Sequence, residues 1–215
     1  MKNLLFIFTL IMTQALHAQE VTPSRAHSHN DYLQQSPFHL AYNEMFGSIE
    51  ADIHLVNNKI LVGHDTKDLD SARTLEKLYL ETMVVYNLQN RKLQLLIDIK
   101  TDAKTTLDQL VVLLGNYPSI TNNKNIKIVI SGNAVAPALF DSYPNYIWFD
   151  GRLSVQYSQN QLARVALISE DYYKVINYKP KWPLDSLTAE KAKNFIDQVH
   201  QLKKPVRIWG SPDNP

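Results

Sequence analysis

The chain has 215 residues, with 22 Lys+Arg against 21 Asp+Glu and a formal net charge of +1. A balance this close argues against nucleic acid as a partner, and no basic amphipathic stretch suggests a membrane-surface helix. With Cys 0 in the composition, no disulfide and no lipid-modified cysteine can form.

Lys2, an apolar run from Leu4 to Leu16, and then His17-Ala18-Gln19 describe a secretory signal peptide. The run is shorter than the roughly 20 apolar residues a spanning helix needs. Cleavage is expected after Ala18. The mature chain is then an exported protein, periplasmic or secreted, not a lipoprotein and without a membrane span. Residues 19–215 suit one domain.

Ser24 to Ser28 is a short strand candidate, ending in His27-Ser28-His29-Asn30-Asp31. Ser36-Pro37 reads as a helix start and Gly47 as its stop. Gly47 to Ile53 reads as a buried strand. Its period of two puts Glu50 and Asp52 on one face and Ile49, Ala51 and Ile53 on the other. Asn57-Asn58 is a turn signal, followed by an extended stretch that ends in Gly63-His64-Asp65. Leu75, Leu78 and Tyr79 have helical spacing within Thr74–Leu80. Leu93 to Ile99 is a near-continuous apolar run that contains Asp98, as suits a parallel strand covered on both faces. A helix is expected at about Thr105–Leu114. Strand and helix then alternate: Ile126–Ile130, helical Ala134–Phe140, Tyr146–Phe149, Val165–Ile168, a helix from about Thr188 to Leu202, and Val206–Trp209.

Alternating strands and helices imply a parallel sheet. The expected fold is α/β, a TIM-type (β/α)8 barrel that lacks the eighth strand and helix within this chain. In such a barrel the active site lies at the C-terminal ends of the strands. His27, Glu50, Asp52, His64, Asp98 and Lys100 all fall there. Glu50, Asp52 and Asp98 suit one hard divalent cation, Mg²⁺ or Ca²⁺. His27 and His64 can supply an acid and a base near neutral pH. A cation can polarise a phosphoryl group, and Lys100 adds positive charge toward its oxygens. Phosphodiester cleavage needs this set. The bland alternative for Asp98 is a local ion pair with Lys100 on the same strand face. His39, His54 and His200 lack such neighbours and read as structural.

Ala26-His27, Glu50-Ala51-Asp52, Gly63-His64-Asp65 and Ile97-Asp98-Ile99-Lys100 together resemble the glycerophosphodiester phosphodiesterase superfamily of phospholipase-C-like enzymes. His27-Ser28-His29-Asn30-Asp31-Tyr32, Ile130-Ser131-Gly132-Asn133, Phe149-Asp150-Gly151-Arg152, Arg207-Ile208-Trp209-Gly210 and Pro212-Asp213 are similar to its altered-inheritance-of-mitochondria branch. The resemblance implies an eight-stranded barrel with one Mg²⁺ or Ca²⁺ on Glu50, Asp52 and Asp98. It implies His27 and His64 as the acid–base pair, Lys100 near the phosphate and Trp209 lining the pocket. The expected partner is a small-molecule or lipid-derived phosphodiester. In this superfamily a substrate hydroxyl often attacks phosphorus to give a cyclic phosphate. Ser28-His29 stands where Arg-Gly follows the first histidine of a glycerophosphodiesterase, and Asp98 where glutamate is common. The alcohol group therefore stays open.

Two other readings fit parts of the pattern. His27 and His29 could hold a transition metal such as Zn²⁺ in a phosphoesterase or amidohydrolase. A barrel that keeps the pocket without catalysis could be a binding protein.

Overall fold

The computed structural model describes residues 22–88, 91–176 and 185–211. The expected leader and the Pro212-Asp213 pair lie outside the described residues. Eight strands form one sheet: β1 His27–Ser28, β2 Ser48–Val56, β3 Lys59–Val62, β4 Leu93–Ile99, β5 Ile126–Gly132, β6 Ile147–Gly151, β7 Val165–Asp171 and β8 Val206–Trp209. Seven run parallel in the order β1-β2-β4-β5-β6-β7-β8, and β3 folds back antiparallel on β2. Among the described residues β8 does not pair with β1, so the barrel is incomplete, as expected. The parallel strands are the seven read from the sequence. The stretch after Asn57-Asn58 is a hairpin partner. Both asparagines have positive φ, 48° and 61°, as a tight hairpin turn demands.

Strand periodicity divides the apolar residues between two faces. Ile49, Ala51, Ile53, Leu95, Ile97, Ile128 and Ile130 are buried in the main core. There they share the cluster with Leu107, Leu110 and Leu114 of the helix Ala103–Leu114. Asp102 caps that helix by accepting from the Thr105 N–H at 2.9 Å. Leu96, Val129, Ala166 and Leu167 form a smaller cluster with Trp148. Glu50, Leu96, Val129 and Trp148 are successive register partners across β2, β4, β5 and β6. One step toward the strand C-termini, the row changes to Asp52, Asp98 and Ser131. The inner face therefore has an apolar floor beneath a polar rim.

Several segments differ from expectation. Pro23–Arg25 is a single tight turn, and only His27–Ser28 pairs as strand, because proline cannot donate to a ladder. The helix expected from Ser36-Pro37 spans only His39–Asn43. Phe38 sits at φ 65°, a strained value for a bulky residue that no helix can pass through. Asp31 holds this turn. Its buried carboxylate accepts from the Phe38 N–H at 2.6 Å, Ser28 Oγ at 2.9 Å and the Tyr79 hydroxyl at 3.1 Å. Residues Pro137–Ser142 form a tighter helix than the α-helical turn expected from Ala134. The helix near Thr188 spans Ser186–Gln201, with Phe195 and Val199 buried. No helix among the described residues is long and apolar enough to cross a membrane.

Asp31→Ala leaves the Ser28 hydroxyl and the Phe38 N–H without that acceptor, leaves the Tyr79 hydroxyl only its longer contact to the Glu50 carbonyl at 3.3 Å, and frees the Phe38 turn. It is expected to cost at least about 2 kcal/mol, since each buried group left unpaired costs roughly 1–3 kcal/mol. Urea unfolding followed by circular dichroism measures this, and an unchanged midpoint would show that the turn holds without Asp31.

Candidate active site

The parity of β2 puts Glu50 and Asp52 on its inner face, 2% and 1% exposed. Asp52 is the register partner of Asp98 on β4. One oxygen each from Glu50, Asp52 and Asp98 lies within 4.8 Å of the others. Three carboxylates this close repel one another and resist burial, so their neighbours are basic or donating. Lys100 Nζ is 3.0 Å from Asp52 Oδ2 and 3.0 Å from Asp98 Oδ1. The Tyr32 hydroxyl donates to Asp52 Oδ2 at 2.9 Å. Arg207 Nη2 reaches both Glu50 oxygens, at 3.2 and 3.1 Å. The local Asp98–Lys100 pair exists, but the same ammonium also serves Asp52.

His27 completes the support of Glu50. Its Nε2 is 2.9 Å from Glu50 Oε2 and its Nδ1 is 2.8 Å from Ser48 Oγ. A carboxylate only accepts, so Nε2 carries the proton and Nδ1 accepts from Ser48. Gln94 Nε2 in turn donates to Ser48 Oγ at 2.9 Å, which fixes the tautomer. Burial lowers the His27 pKa, against the opposing pull of the Glu50 hydrogen bond. Burial alone would raise Glu50, but the His27 hydrogen bond and the Arg207 charge bring it below the ordinary value. Asp52 moves the other way: burial raises it and outweighs Lys100. Burial would lower Lys100, yet Asp98 and Asp52 together hold it above its usual value.

Glu50 and Asp98 open into a cleft of about 530 Å³ at the C-terminal ends of the strands, and the buried Asp52 is not on its wall. Its wall includes the predicted residues Glu50, His64, Asp98, Lys100 and Trp209. His27 is not on this wall. It lies behind Glu50 with both ring nitrogens engaged. His29 is on the wall, with a side chain 59% exposed and Nε2 3.8 Å from Glu50 Oε2. His64 faces the same cleft from the loop after β3, its Nδ1 3.2 Å from Asp65 Oδ1. The buried His54, read as structural, donates from Nε2 to the His64 carbonyl at 3.1 Å and so anchors that loop. Sequence reasoning missed Asn30, Arg152 and Arg207 on the wall. Asn30 sits at φ 50°, in the left-handed region that asparagine tolerates.

The cluster fits a hard cation. Asp52 Oδ1 is buried and makes no hydrogen bond among the described residues, and three carboxylate oxygens are the donor set that Mg²⁺ or Ca²⁺ prefers. A transition metal on His27 and His29 fits poorly, because neither nitrogen of His27 is spare.

Residues 16–92 match a family model described as an AIM6-like phosphodiesterase domain. The chain is 29% identical over 261 residues to altered inheritance of mitochondria protein 6 of Saccharomyces cerevisiae, covering 92% of this chain and 64% of that protein. It therefore spans just under two thirds of the length of that relative. A homologue from Arthroderma benhamiae is 25% identical over 236 residues, covering 91% of this chain and 75% of that one. The crystal structure of a glycerophosphodiester phosphodiesterase from Parabacteroides distasonis superposes with a TM-score of 0.54 at 14% identity. It covers 86% of this chain and 83% of that one, a likeness of fold. The chain is thus similar in sequence to the AIM6-like phosphodiesterase domain and the altered-inheritance-of-mitochondria proteins, and in fold to a glycerophosphodiester phosphodiesterase.

Gly132 tests the geometry of the cluster. It sits at φ 66°, and a Cβ there would overlap Asp98 Oδ1 and the Ile99 carbonyl. Gly132→Ala is expected to displace Asp98 and weaken Ca²⁺ or Mg²⁺ affinity at least about tenfold, a loss of roughly 1.4 kcal/mol. Titration calorimetry reads this directly, and wild-type affinity in a folded variant would remove Asp98 from the cation site.

Proposed function

We propose that this chain is an exported, metal-dependent phosphodiesterase. One observation carries the reading: Glu50, Asp52 and Asp98 converge, with a buried Asp52 oxygen that has no partner among the described residues, at a cleft that also presents Lys100 and two exposed histidines. The fold shared with a glycerophosphodiester phosphodiesterase supports it. Export rests on the basic, apolar and small-residue order of residues 1–18.

Glu50, Asp52 and Asp98 would hold the divalent cation, which supplies Lewis-acid polarisation of a phosphoryl oxygen when bound. The remaining work belongs to side chains. Lys100 adds fixed positive charge where negative charge grows on the phosphoryl oxygens. One histidine takes the proton of the attacking oxygen as that oxygen bonds to phosphorus. The other gives a proton to the departing alkoxide as the second P–O bond breaks. If the attacker is a substrate hydroxyl the product is a cyclic phosphate; if it is water, a monoester. The sequence reading gave this pair as His27 and His64. Exposure on the cleft favours His29 beside His64, with His27 as a positioning residue that orients Glu50. Trp209 supplies an apolar wall for the alcohol.

The purified chain is expected to release p-nitrophenol from bis(p-nitrophenyl) phosphate with Mg²⁺ or Ca²⁺, and to stop with EDTA. His29→Ala and His64→Ala should each lower kcat by about 10²–10⁴, the usual contribution of a general acid or base. Glu50→Ala should abolish the metal-dependent release. If His27→Ala falls as far while His29→Ala retains activity, the roles of the two histidines are reversed. A folded, metal-loaded chain inactive on every phosphodiester would leave a binding protein.

A further inference from the structure

The cleft carries a second basic group that the chemistry above does not use. Arg152 follows β6 directly. Its Nη1 is 2.9 Å from Asp150 Oδ2, 2.8 Å from Ser169 Oγ and 2.9 Å from the Gly151 carbonyl. Its backbone N–H donates to the Tyr157 hydroxyl at 2.9 Å. Asp150 is itself buried and held, with Oδ2 accepting from Ser131 Oγ at 2.9 Å and Ser169 Oγ at 2.5 Å. One corner of the guanidinium is therefore locked to the barrel interior. Nε and Nη2 have no partner among the described residues, and the side chain, 31% exposed, lies on the cleft wall.

The other cations of the cleft are committed differently. Lys100 is shared by Asp52 and Asp98, and Arg207 covers both oxygens of Glu50. Arg152 keeps the side-on edge of its fork free, and that edge matches a carboxylate or phosphate with two parallel hydrogen bonds. Because Asp150 and Ser169 already fix the group, little rotamer entropy is lost when an anion binds. The placement is also suitable. Asp98, Ser131 and the Asp150 strand are consecutive in the sheet, so Arg152 stands about two strand spacings, roughly 10 Å, from the carboxylate cluster.

We propose that Arg152 is an anion subsite, and that the favoured substrate is a phosphodiester whose alcohol carries a second anionic group, a carboxylate or a phosphate. This rests on the phosphodiesterase reading. If Arg152 served only to neutralise Asp150, its loss would affect all substrates alike.

The test uses p-nitrophenyl phosphodiesters of three alcohols: 3-hydroxypropanoate, its neutral amide, and 3-hydroxypropyl phosphate. The wild type is expected to favour at least one anionic ester over the amide by roughly tenfold to a hundredfold in kcat/KM, the range for a hydrogen bond to a charged group. The two anionic arms show whether a carboxylate or a phosphate is preferred. R152Q should bring the ratio to about one, and R152K should retain part of it. A wild-type ratio near one overturns the proposal whether or not R152Q folds, and so does a ratio that R152Q leaves unchanged. Calorimetry with 1,3-propanediol bisphosphate against propyl phosphate separates the two readings. Tighter, Arg152-dependent binding of the bisphosphate without turnover of any ester keeps the subsite and removes the phosphodiesterase. Equal binding without turnover removes both.

Discussion

Two buried carboxylates two residues apart on β2 set the terms for everything around them. Neither acid can be buried alone at acceptable cost, and Asp98 on the adjacent strand adds a third negative charge. The fold answers from four directions. Lys100 comes from the end of β4, Tyr32 from the turn after β1, His27 from β1 itself and Arg207 from the far strand β8. Removing any one of these would leave a buried charge under-compensated, which is far more harmful than never having had the pair.

The inner face separates this chemistry from stability. Leu96, Val129 and Trp148 form an apolar floor in the same register row as Glu50, and Asp52, Asp98 and Ser131 lie one residue pair higher. Placing the polar groups toward the C-terminal ends confines the cost of burying them to two adjacent rows, while the outer faces of the same strands carry the core. Each acid of the rim is matched by a cation, so the cleft is patterned by local pairs instead of one dominant sign of charge. That suits a ligand that must be oriented as well as attracted.

Much of this is written in local sequence. The alternation Ile49-Glu50-Ala51-Asp52-Ile53 states which side chains face inward, and near-continuous apolar runs mark the parallel strands. Gathering Glu50, Asp98, His64, Lys100 and Trp209 at one cleft, with Asp52 beside the two acids, follows from barrel geometry alone. What escaped has identifiable causes. His27 and His29 look equivalent in sequence, but β1 pairs through only two residues, so strand parity stops at Ser28 and cannot say which histidine meets solvent. Arg207 carries no local signal. It sits in a four-residue strand, and its partner Glu50 lies 157 residues earlier. Phe38 broke the expected helix because a tertiary contact to Asp31 overrode the Ser-Pro start signal.

The span of the Arg207–Glu50 pair has a kinetic meaning. Local contacts can organise β2, β3 and β4 early, but the charge balance of β2 is incomplete until β8 has docked on β7, and closing so long a loop is slow. Before that event a folding chain holds a half-neutralised acid beneath an open seam. Maturation of the pocket is therefore tied to the last strand in the sheet. The same seam is where the folded protein would first fray.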